Sequence, residues 1–121
     1  MATCDQSATL PVLDPDVLNG LREACGDDMI AEIVGLFVVD VPQRLSTLTA
    51  AIAATSAGQV SREAHGLKNS ALAVGAMRMA SICDEVEQGA RAGSLTDAAN
   101  QCARIEREFH GAREALEQGA C

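Results

Sequence analysis

The sequence has no tryptophan, no tyrosine and only two phenylalanines in 121 residues. That scarcity argues against stacking of nucleic-acid bases on aromatic side chains as a binding mode. Cations are scarce as well. Nine Lys and Arg stand against 17 Asp and Glu, for a formal net charge of -8. That balance argues against nucleic acid and anionic membrane surfaces as partners. No apolar run approaches the ~18 residues that a membrane span needs, so no membrane insertion is expected. Residues 1–11 lack the basic start and apolar stretch of a signal peptide, and the chain is expected in the cytoplasm. The five cysteines are odd in number and include no Cys-x-x-Cys pair. They define neither a disulfide framework nor a zinc site. Cys83 and Cys102 fall on apolar helical positions and are expected in the core. Cys4 and Cys121 are expected as exposed thiols near the ends.

Strand signals are also missing, because no segment alternates apolar and polar β-branched residues. What remains is a sequence rich in Ala, Leu, Glu and Arg, a composition that favours helix. Five helical segments can be bracketed by their start and stop signals. A short one begins with Asp14 as cap and Pro15 at the first helical position, and ends near Gly26. A long one runs from about Asp27 to Ala54, with a kink or brief break expected at Pro42. A third follows Ser56, whose spacing to Gln59 fits a capping box, and stops at Gly75. A fourth runs from about Ala76 to Arg91. The fifth opens at a Ser94–Asp97 cap and repeats apolar residues from Leu95 to Leu116. Four helices of similar length joined by short turns pack as an antiparallel up-down four-helix bundle, with the short first helix as an addition. Residues 13–119 are expected to form this all-α domain, and residues 1–12 a flexible N-terminus. The apolar residues suffice for one small core, which predicts a monomer.

The most informative stretch runs from Ser61 to Gly75. At about 100° per residue, Val60, Ala64, Leu67, Ala71 and Val74 fall on one face and point to the core. His65 lies about 140° away from that face. Ser61, Arg62, Lys68, Asn69 and Leu72 surround it on the helix surface. An imidazole nitrogen is a competent nucleophile near neutral pH. Phosphoryl transfer asks mainly for positioning and charge compensation. Lys68, one turn on, can supply a point charge to phosphoryl oxygens, and Arg62, one turn back, can add to it. Gly66, Ser70 and Ala73 are small, which allows another protein close to the helix, and Leu72 offers an apolar contact beside the histidine. Glu87 has two readings: a hydrogen-bond acceptor for the His65 ring across the bundle, or an exposed carboxylate. His110 lacks a comparable setting and is read as a boundary residue. Neither histidine follows a Glu at the spacing of di-iron bundles, and no phosphate-binding glycine loop or nucleophile elbow is present.

The run His65-Gly-Leu67-Lys68-Asn69-Ser70-Ala71, with Val74-Gly75-Ala76 behind it, resembles the signature of histidine-containing phosphotransfer (HPt) domains. Leu13-Asp14-Pro15, Leu36-Phe37 with Pro42, and Val86-Glu87 extend the resemblance along nearly the whole chain. The resemblance implies a phosphoacceptor at His65 with Lys68 as its supporting lysine. It also implies a carrier without kinase activity and without a cofactor of its own, the magnesium ion belonging to the partner's acidic site. The implied partners are receiver domains of response regulators and hybrid sensor histidine kinases in a two-component phosphorelay. Asn69 departs from the pattern, because the family usually has glycine there. Two readings stay open at that point: a competent phosphoryl carrier, or a non-phosphorylated adaptor that binds a receiver or kinase without chemistry.

Overall fold

The computed structural model describes residues 10–118. Its elements are α1 (Pro15–Cys25), α2 (Asp27–Ala53), α3 (Ala57–Val74), α4 (Met77–Arg91) and α5 (Ala98–Glu117). Helices α2, α3, α4 and α5 pack in a ring, each against its two neighbours, and α1 lies against α2 with a smaller contact to α3. This is the all-α four-helix bundle with an added N-terminal helix that the periodicity predicts.

The local signals explain most boundaries. Asp14 caps α1, its side chain accepting the Asp16 N–H at 3.0 Å, and Pro15 takes the first helical position. Gly26 ends α1 at φ 88°, and Gly75 ends α3 at φ 78°. Both are left-handed values that a side chain resists. The Asp14 N–H donates to the Gly75 carbonyl at 2.7 Å, so the start of α1 is fastened to the α3–α4 turn.

Two expected caps are absent, and of the kink or break expected at Pro42 the break does not occur. Helix α2 passes through Pro42 without a break. Pro42 is exposed, so the carbonyl that loses its partner one turn back can take water instead. Ser56 precedes α3 but its side chain makes no capping bond. The α2–α3 turn is closed by backbone bonds instead, with Thr55 at φ 50° and the Ser56 N–H on the Ala51 carbonyl. Asp97 likewise makes no side-chain cap, and the Ser94 hydroxyl bonds Thr96 instead. Leu95 therefore lies in the turn and α5 starts at Ala98.

The core draws on every helix. Val60, Ala64, Leu67, Ala71 and Val74 are fully buried, as their spacing predicts. They meet Met79, Ile82, Cys83 and Val86 from α4. Phe37 and Phe109 join α2 to α5, their rings 5.2 Å apart and tilted by 51°, an aromatic contact that contributes about 0.5–1.5 kcal/mol beyond area burial. Cys83 is buried, and that burial, with Cys102 beside it, pushes its thiol up to about 12, so it serves as a small apolar filler. Cys102 departs from expectation in being half-buried. Cys4, Cys121 and most of the N-terminal segment expected to be flexible lie outside the described residues. No helix among the described residues is long and apolar enough to cross a membrane.

Candidate functional site

His65 sits in the middle of α3, one face away from the buried stripe. Its side chain is 52% exposed. Across the α3–α4 seam lies Glu87, which is 1% exposed. Helical spacing explains that burial. Glu87 stands four residues after Cys83 and next to Val86 on the inward face of α4, so its carboxylate emerges among core side chains.

A buried carboxylate is costly unless paired, and Glu87 is paired on both oxygens. Oε2 lies 3.1 Å from His65 Nδ1 and 2.9 Å from the Arg91 guanidinium. Oε1 lies 2.9 Å from Lys68 Nζ, as an ion pair outside good hydrogen-bond alignment. Burial pushes the carboxyl pKa of Glu87 up. The contact and charge of Lys68, together with those of His65, outweigh that push and hold it below the ordinary value. Glu87 is therefore ionised near neutral pH. Lys68 also reaches Asp84 Oδ1 at 3.2 Å. The Glu87 and Asp84 carboxylates raise its pKa above the ordinary value, so its positive charge is secure.

The chemistry follows from the acceptor. A carboxylate has no proton to give, so Nδ1 carries a proton toward Glu87, and in the neutral tautomer Nε2 keeps the lone pair. The exposed ring thus turns Nε2 outward, with a fixed cation one helical turn away. Among the described residues no cluster of His, Cys, Asp and Glu has the arrangement of a metal site.

The other predicted residues distribute around this centre. Arg62 is exposed one turn before His65, and Ser61 is half-buried. Asn69 and Ala73 are exposed, and Leu72 is one of the few large apolar side chains that are. Gly66 is different from its expected open state: the Arg44 guanidinium of α2 lies over it. Between α2 and α3 runs a groove of about 320 Å³, lined by Ile33, Leu36, Phe37, Asp40, Ser70, Ala73 and Val74. His110 is exposed, 4.0 Å from Glu106, and takes no part.

Sequence reasoning missed Asp84, Arg91 and Arg44. Asp84 and Arg91 lie three residues before and four after Glu87, so helical spacing finds them once Glu87 is placed. Arg44 has a weaker signal, its position four residues after Asp40, to which its Nε donates at 2.7 Å.

The Hpt domain family model matches residues 32–118. The crystal structure of histidine-containing phosphotransfer protein B (HptB) from Pseudomonas aeruginosa PAO1 superimposes with a TM-score of 0.85. The two are 35% identical, over 90% of this chain and 94% of that one. No curated protein sequence matches. The chain belongs to the Hpt domain family, the histidine-containing phosphotransfer proteins of two-component signalling.

Proposed function

We propose that His65 accepts a phosphoryl group on Nε2 and that the chain relays it to or from the aspartate of a receiver domain. The observation that carries this reading is the His65–Glu87 bond. It fixes the tautomer that leaves Nε2 free on an exposed ring.

The Nε2 lone pair attacks the phosphorus of an aspartyl phosphate. The N–P bond forms as the P–O bond to the aspartate breaks, and the aspartate leaves as a carboxylate. The ring gains a positive charge while its proton stays on Nδ1, donated to Glu87, whose buried carboxylate offsets that charge. Lys68 faces the phosphoryl oxygens as a point charge. Return transfer runs the same steps backwards. No step needs a cofactor of this chain, and the chain acts as a carrier rather than a kinase. The magnesium ion of the reaction belongs to the receiver.

Ser61, Leu72 and Ala73 form the surface on which the partner sits, with Arg62 and Asn69 at its edge. The partners are receiver domains of response regulators and of hybrid sensor kinases. The working unit is the bundle of residues 13–119, a cytoplasmic monomer.

The test is phosphoryl transfer from a phosphorylated receiver domain to the purified protein. Wild type is expected to take up acid-labile, base-stable label. His65→Gln is expected to take up none while keeping its helical content. Label retained on His65→Gln would sink the assignment. Binding to a receiver with no label on wild type would favour the adaptor reading, in which Asn69 blocks the chemistry.

A further inference from the structure

Gly66 stands in the interior of α3 with helical backbone angles, where alanine would be the more stable choice. No turn, cap or left-handed φ requires a glycine there. The one group that a Cβ at this position would meet is the Arg44 guanidinium. Gly66 thus makes room for an arginine from α2 to lie on the α3 backbone, at the residue that follows His65.

The two flanks of His65 are unequal. On the α4 side, Lys68 is held by two carboxylates, Glu87 and Asp84. On the α2 side, Arg44 has one carboxylate, Asp40, bound through Nε alone. Among the described residues its two terminal amino groups have no hydrogen-bond partner. Asp40 holds the stem of the guanidinium and leaves its donor edge available. Such an edge binds two oxygens of a phosphoryl group at once.

We propose that Arg44 is a second phosphoryl-binding residue, which holds the oxygens on His65 Nε2 from the α2 side opposite Lys68. This rests on His65 being the phosphoacceptor. Gly66 is the positioning residue that lets the guanidinium lie close enough, and Asp40 orients it.

The experiment is a 31P titration of the protein phosphorylated with phosphoramidate, for wild type, Arg44→Ala, Arg44→Lys and Gly66→Ala. A cation on the phosphoryl oxygens favours the dianion. Loss of Arg44 is therefore expected to move the titration midpoint up by about 0.5 to 1 pH unit. Arg44→Lys keeps the charge and is expected to lie between the two. Gly66→Ala displaces only the end of a flexible side chain, so it is expected to fold, to melt at the same or a higher temperature, and to titrate like Arg44→Ala. A merely structural arginine would move the melting temperature and leave the phosphorus midpoint alone. An Arg44→Ala midpoint equal to wild type overturns the proposal, and a Gly66→Ala midpoint equal to wild type overturns the part given to Gly66. Failure of the underlying reading is separately visible, because wild type would then show no phosphohistidine signal that His65→Gln removes.

Discussion

Glu87 binds the chemistry of His65 to the stability of the bundle. Its carboxylate is buried, and it touches His65, Lys68 and Arg91. Glu87→Gln keeps the shape and removes the charge. It is expected to slow phosphoryl transfer at least about tenfold, because the amide can no longer enforce the Nδ1–H tautomer or offset the charged ring. It is also expected to cost about 1–3 kcal/mol of stability at neutral pH. The pH dependence has a definite sign. The folded-state pKa of Glu87 lies below the ordinary 4.5, so its contribution is complete above that value and is lost as pH falls through the lower one. Denaturation curves of wild type and Glu87→Gln should differ most above the ordinary carboxylate value and converge as pH falls through the lower, folded-state one. A gap that stays constant across that range contradicts the ion-paired state. At this scale His65 and Lys68 were legible, because their spacing puts both on one surface of α3. The role of Glu87 was only half legible, since helical periodicity cannot say which α4 position meets which α3 position. The docking of Arg44 over Gly66 was illegible, because it depends on how closely α2 approaches α3.

At the scale of elements, glycines and prolines carried the reading. Asp14-Pro15, Gly26 and Gly75 mark ends that the backbone obeys. The Ser56 and Asp97 side chains make no capping bonds, although their spacing suggests them, and backbone bonds close both turns instead. Gly75 shows what such an end holds. A Cβ there would lie 2.8 Å from the Asp14 carbonyl oxygen and 3.1 Å from Val17 Cβ, at a φ of 78°. Gly75→Ala is expected to lower stability by about 1–3 kcal/mol, measured by chemical denaturation. It should also speed amide exchange in α1, whose start is fastened to this turn. Asn69 is exposed on α3. Asn69→Gly is expected to cost a few tenths of a kcal/mol in helix stability, about the propensity difference, and to keep or raise the transfer rate. Complete loss of transfer would make Asn69 a required contact.

Over the whole molecule, the bundle was the most legible feature. Its apolar spacing specifies four faces that only a common core can satisfy. The charge distribution was less so. A net charge of -8 describes the surface as a whole and conceals the cations gathered near His65: Arg44, Arg62, Lys68 and Arg91. Those residues come from three helices, so packing brings them together where sequence order does not. The bundle thus gives an acidic chain a local group of cations. The most direct measurement is the attachment point of phosphorus on the phosphorylated protein, read from 15N–31P couplings with labelled histidine. With Nδ1 held by Glu87, the phosphoryl group is expected on Nε2 of His65 alone. Phosphorus on Nδ1 of His65, or on His110, would contradict the orientation that the site is built to impose.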